Sequence, residues 1–187
     1  MRAFIGYFTT SSLMDYVDRF EDETRGFVRG RWVDPKNLHV TLQFLGEISH
    51  DQALSVLKNL EEISQKTSPF KVQYRALGVF PDRKKPRVLW IGVSKGEERL
   101  RNLAREVSKM NKRSGIKPEG RPFHAHVTLC RIKEADKKRL GGFMNRYRNF
   151  NFGEERVDRI ALISSSLTGI GPVYTIVEEF YFRGNGA

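Results

Sequence analysis

Residues 39–46 read HVTLQFLG, and the tetrapeptide HVTL returns at 126–129. Two of the chain's four histidines open these copies. Both read as β-strands, in which successive side chains point to opposite faces. Strict alternation puts His39, Thr41 and Gln43 on one face, and Val40, Leu42 and Phe44 on the other. In the second copy His126, Thr128 and Cys130 oppose Val127 and Leu129. Two such strands set beside each other would line one cleft with two imidazoles and two hydroxyls. A half-buried histidine on an ordinary strand explains either copy alone. The matched pair favours chemistry.

Around these strands the pattern mixes strands and helices. AFIGYF (3–8) reads as a strand, and Leu13, Val17 and Phe20 fall at helical spacing. Ser49 and Gln52 form a capping box ahead of Ala53, Val56, Leu57, Leu60 and Ile63. FKVQYRALGVF and RVLWIGV, from Phe70 and Arg87, read as strands joined by PDRKKP. Leu100, Leu103, Ala104 and Val107 mark a third helix. Leu140, Phe143, Met144 and Tyr147 mark a fourth, weakened by Gly141 and Gly142. DRIALISSSL and PVYTIVEEFYF close the chain as strands. Hairpin-like strand pairs among helices indicate α+β with antiparallel sheets rather than a doubly wound parallel sheet. Each half holds an HVTL strand, then a helix and a strand pair, so two related lobes would explain the repeat.

A length of 187 residues fits one domain or two small lobes sharing a core. No apolar run approaches the ~20 residues of a membrane span, and the start does not read as a signal peptide. The single cysteine, Cys130, excludes a disulfide framework and a cysteine-rich zinc site. A reducing cytoplasm is the expected location. The net charge of +11 points to polyanionic partners, RNA or DNA before membranes. A charged surface of the thermophile kind is the alternative.

Paired His–Thr strands suit phosphoryl chemistry without a metal. One neutral imidazole accepts a proton from water or a ribose hydroxyl, and one imidazolium donates to the leaving oxygen. A reference pKa of about 6.5 lets both forms exist near neutrality. Threonine hydroxyls two residues along the same face would donate to non-bridging phosphate oxygens.

HVTLQFLG (39–46) and HAHVTLCR (124–131) resemble the two signature motifs of the 2H phosphoesterases. LGVFPDRKKPRVLWIGV (77–93) is similar to the middle segment of one branch, the RNA 2′,3′-cyclic phosphodiesterases, also called 2′-5′ RNA ligases. The likeness runs nearly the whole chain, 1–187. It implies a bilobal α+β fold with pseudo-twofold symmetry, two antiparallel β-sheets forming a central cleft, and helices packed outside. Each lobe of this single domain would supply one H-x-T motif. The resemblance implies hydrolysis of a terminal 2′,3′-cyclic phosphate on RNA to a 2′-phosphate, with reversible, ATP-independent 2′-5′ joining. It makes His39, Thr41, His126 and Thr128 catalytic, His39 as the acid and His126 as the base. The sequence alone does not order those two roles. Phe44 and Arg131, each five residues after a motif histidine, correspond to a base-holding pair. Alternation turns both away from the histidines unless the strand bends, and Gly46 offers a bend near Phe44. No cofactor or metal is expected. The expected partner is an RNA end, tRNA fragments included, acted on by a monomer.

Smaller signals divide between function and surface. Arg83, Lys84, Lys85 and Arg87 form a basic hairpin tip, either a phosphate track or a solvated turn. His124 reads as a surface or loop histidine, His50 as a bystander at a helix start, and Cys130 and Trp90 as core. Lys117 and Arg121 border the second motif in a charged loop. GIKPEGR (115–121) lacks the Lys and Ser/Thr of a phosphate-binding loop, which argues against nucleoside triphosphate binding. A zinc site would want a third ligand. A non-catalytic RNA-binding module, and a 2H enzyme acting on small cyclic nucleotides or 2′-5′ oligonucleotides, are the rival readings.

Overall fold

The computed structural model describes residues 1–185. In chain order the elements are β1 (Arg2–Phe8), α1 (Met14–Thr24), β2 (Val28–Trp32), β3 (His39–Glu47), α2 (His50–Lys66), β4 (Phe70–Phe80) and β5 (Val88–Val93). They continue with α3 (Glu97–Arg113), β6 (His126–Ala135), α4 (Lys137–Arg146), β7 (Asn151–Val157), β8 (Arg159–Thr168) and β9 (Gly171–Tyr181). All the strand ladders described are antiparallel, in the order β7-β4-β5-β6-β3-β1-β8-β9, and β2 also pairs with β6. The fold is α+β, as the alternation of elements predicts.

The sheet is pinched at its middle. Among the described residues β3 and β6 share one ladder pair, Val40 with Val127. Past it, β6 leaves β3 and pairs with β2 from Cys130 to Ala135. On the other strand the Phe44 N–H donates to Glu119 Oε2 in the loop before β6, at 3.2 Å. Two antiparallel halves therefore diverge from a single crossing. The order is palindromic about it: β5, β4 and β7 follow β6 outward, while β1, β8 and β9 follow β3.

Helices complete each half and bury one face of the sheet. α2 packs on β8 and β9, and α3 on β3 and α2. On the other side α4 packs on β4, and Phe20 of α1 meets Phe143 of α4 at 5.2 Å between ring centroids. Ile5, Val40, Leu42, Leu89, Ile91, Val127 and Leu129 face this core. The opposite faces of the same strands are left to the cleft.

The capping box predicted before α2 is present: Ser49 Oγ accepts from the Gln52 N–H at 3.1 Å, and Gln52 Oε1 accepts from the Ser49 N–H at 3.0 Å. Gly141 and Gly142 do not break α4, because Asp136 caps its start and Leu140, Phe143 and Met144 bury its inner face. Two strands have no counterpart in the hydrophobic pattern. β2 (VRGRW) and β7 (NFGEERV) are polar, and β7 lies at the edge of the sheet.

The first HVTL strand rests on a glycine. Gly6 of β1 pairs with Thr41, and a Cβ there would lie 2.2 Å from the Val40 carbonyl oxygen. Backbone cannot yield as a side-chain tip does. Gly6→Ala is expected to destabilise the protein by about 1–3 kcal/mol, as overpacking does, measured as a lowered midpoint of urea unfolding.

Candidate active site

Both HVTL strands carry a β-bulge at the same place. In β3, Thr41 pairs with Gly6 and Gln43 with Ile5, leaving Leu42 as the extra residue. In β6, Thr128 pairs with Trp90 and Cys130 with Leu89, leaving Leu129 extra. An extra residue shifts the phase of alternation. Leu42 and Gln43 are both buried, and so are Leu129 and Cys130. Strict alternation therefore fails at four positions. Gln43 and Cys130 turn into the core, and Phe44 and Arg131 return to the face of the histidines. Gln43 Oε1 accepts from Asn111 Nδ2 at 2.8 Å. Burial pushes the Cys130 thiol up to about 12, which keeps it from being a thiolate nucleophile near neutrality.

The crossing brings the two motifs together. With Val40 opposite Val127, the register sets His39 across from Thr128, and His126 across from Thr41. Each histidine thus faces the threonine of the other motif. The histidines occupy diagonal positions, which in a paired ladder lie about 7–8 Å apart.

Both imidazoles are oriented in the same way. His39 Nδ1 lies 2.6 Å from the Asn37 carbonyl oxygen, and His126 Nδ1 lies 2.7 Å from that of His124. A carbonyl only accepts, so Nδ1 carries the hydrogen in each ring and Nε2 is left for chemistry. Aromatic walls hold the rings. Phe4 and Tyr174 flank His39 at 4.8 and 5.2 Å between centroids, with Phe8 at 6.1 Å. Phe80 meets His126 edge-on at 4.9 Å, with Trp90 at 6.1 Å.

Burial pulls both imidazoles below the ordinary histidine value, while the bond from Nδ1 to its carbonyl opposes the shift. The neighbouring charges differ. His39 is lowered further by His126 and Arg131, and His126 by His124. Both shifts favour the neutral rings, and an anion held between them would favour the protonated form.

Other expected residues scatter. Phe44 is 54% exposed and stands 6.2 Å from Phe4 in the first half of the cleft. Arg131 lies in the second half, between Arg31 of β2 and Val88 of β5. Trp90, expected in the core, instead stands on the cleft face over Gly78, where a Cβ would fall 2.2 Å from the indole. His124 is exposed at the rim, 4.8 Å from Trp90. Lys117, Arg121 and His50 are exposed. Among the described residues no three His, Cys, Asp or Glu side chains gather as a metal site would require. The walls Phe4, Phe8, Phe80 and Tyr174 were missed by sequence reasoning. For β1 a signal existed, since Phe4, Gly6 and Phe8 alternate with the core residues Ile5 and Tyr7.

The family model described as "LigT like Phosphoesterase" matches the chain twice, over residues 9–90 and 91–174. A protein of Aquifex aeolicus named RNA 2′,3′-cyclic phosphodiesterase is 52% identical over 185 residues, 98% of each chain. A crystal structure from Thermus thermophilus superposes with a TM-score of 0.84 at 28% identity, over 100% of both chains. E. coli LigT in complex with 3′-AMP gives a TM-score of 0.79 at 25% identity, over 97% of both chains. Matched in both halves, and half identical to a relative along nearly its whole length, the chain belongs to the LigT-like phosphoesterases of the 2H superfamily.

Proposed function

We propose that the chain is an RNA 2′,3′-cyclic phosphodiesterase, a single domain in which each lobe supplies one H-x-T motif to a shared phosphorus. One observation carries the reading: the two motif strands cross at Val40 and Val127, one residue after each histidine, and both imidazoles turn Nδ1 to a backbone carbonyl. The names of the relatives, above all the Aquifex aeolicus protein, support the substrate class.

In the forward reaction His126 Nε2 takes a proton from water as its oxygen attacks phosphorus. The P–O3′ bond breaks on the far side, and His39, protonated at Nε2, gives its proton to the departing O3′. The product is a 2′-phosphate beside a free 3′-hydroxyl. His126 is left protonated and His39 neutral, and exchange with solvent restores both. Thr41 and Thr128 donate to the non-bridging oxygens, where charge accumulates. Exposed Phe44 offers its ring to a base, and Arg131 its guanidinium to the same nucleotide. If a 5′-hydroxyl replaces water, the same steps form a 2′-5′ bond, and their reverse regenerates the cyclic phosphate. No step consumes a nucleoside triphosphate.

The direct test is hydrolysis of an RNA ending in a 2′,3′-cyclic phosphate, with chelator present and the product identified. Wild type should yield 2′-phosphate. His39→Ala and His126→Ala should each lower kcat by about 10²–10⁴-fold, the usual worth of a general acid or base, with unchanged melting curves. A 3′-phosphate product, or full activity in either variant, would sink the mechanism.

A pH profile tests the order of the roles. Both imidazoles are lowered in the free enzyme, so the bell of kcat/KM against pH should centre below the ordinary histidine value of about 6.5. Arg131 lowers His39 and is not among the groups acting on His126. Arg131→Gln should therefore raise the pKa of His39. If His39 is the acid, the alkaline limb moves to higher pH and the acid limb stays. Movement of the acid limb instead would make His39 the base.

A further inference from the structure

We propose that the RNA does not end at the catalytic cleft but continues, 5′-ward of its terminal nucleotide, along a basic groove over β6. This rests on the proposed cyclic phosphodiesterase reading and adds a second, non-catalytic binding site to it.

An open groove of about 520 Å³ is lined by Arg29, Gly30, Arg31, Arg87, Arg131, Ile132 and Lys133. It begins beside the second motif, because Arg131 lines it three residues after Thr128 on β6, on the face to which the bulge at Leu129 returns it. A second depression of about 300 Å³ shares Arg87 and Lys133 and adds Lys84, Lys85 and Lys137. From Arg131 to Ala135 the strand alone spans about 13 Å, several phosphates of an extended chain.

The strands were not arranged here for stability. Arg31 of β2 and Arg131 of β6 are direct cross-strand partners, and like charges so placed are destabilising. Arg29 is neutralised by Glu134 at 2.7 Å. Arg31, Arg87, Arg131 and Lys133 have no acidic partner within ion-pair distance among the described residues. Arg87 is nonetheless held in place, with Nη1 donating to the Lys133 carbonyl at 3.1 Å. A row of unpaired cations on a rigid sheet, opening on the site of a phosphate reaction, fits a polyanion's backbone. A cyclic phosphate can only terminate the 3′ end of an RNA, so the remaining chain must leave in the 5′ direction.

The test uses binding, which needs no turnover. Single-stranded RNA of about twelve nucleotides, within the usual span of such sites, and a dinucleotide, both ending in 2′-phosphate, are titrated by fluorescence anisotropy. Wild type is compared with the double variant Arg31→Gln, Lys133→Gln, which leaves Arg131 in place. Both positions are exposed, so the melting temperature should not fall. Losing two phosphate contacts should weaken the longer RNA roughly tenfold near 0.15 M salt and flatten its log–log salt slope by about 1.4. The dinucleotide should bind the variant as it binds wild type. Equal loss for both RNAs, or loss for neither, overturns the groove. So does a wild type that binds the longer RNA no better than the dinucleotide. Length-dependent binding by a wild type that fails to hydrolyse cyclic phosphate would support the groove and refute the chemistry.

Discussion

The pairing of Val40 with Val127 is the constraint from which the rest follows. It is a small contact between two buried valines, yet it fixes the register of β3 against β6. A slip of one residue would turn every side chain on the slipped strand to the wrong face. One imidazole would then enter the core. The strands cannot run on together, because β6 is taken over by β2 and β3 is met by the loop that carries Glu119. The divergence places both motif histidines at the crossing, on strands rather than on loops. Side chains on strands are held more firmly than side chains on loops, and packing beneath and aromatic walls above hold the two histidines further.

In the proposed reaction one arrangement serves two protonation roles. The Nδ1 contacts of the two histidines are nearly identical, so geometry does not distinguish acid from base. The difference lies in the surrounding charge. His39 lies within the field of His126 and Arg131, while His126 is next to exposed His124. A bound phosphate monoanion would counter these positive charges and let one ring hold its proton. The site is thus set to take up a proton together with an anion. The Arg31–Arg131 pair sets like charges side by side a few residues further along β6.

Much of this was legible in the letters, and the losses have physical reasons. α2 announced itself by its cap, and β4 by its aromatic and β-branched residues. β2 and β7 were invisible because their stability comes from neighbours: β2 takes the place beside β6 where the pairing with β3 ends, and Gly30 lets its backbone approach closely. The bulges were the serious omission. An extra residue in a ladder changes no composition, so Leu42 and Leu129 look like ordinary members of alternating strands. The doubt that alternation raised over Phe44 and Arg131 dissolves once the ladders are known. Trp90 was misplaced because VLWIGV reads as continuously apolar, whereas its tryptophan covers a glycine on the open face.

The palindromic sheet is built by exchange. β4, from the first repeat, pairs with β7 of the second, and β8, from the second, lies on β1 near the start of the chain. A half-length polypeptide would hold one H-x-T motif and lack the strand that completes its own layer. Two copies about a dyad could lend each other that strand and form a shared centre at their interface. Joining them end to end makes the assembly independent of concentration. Within one chain the equivalent positions need not match, and 44 holds a benzyl ring where 131 holds a guanidinium.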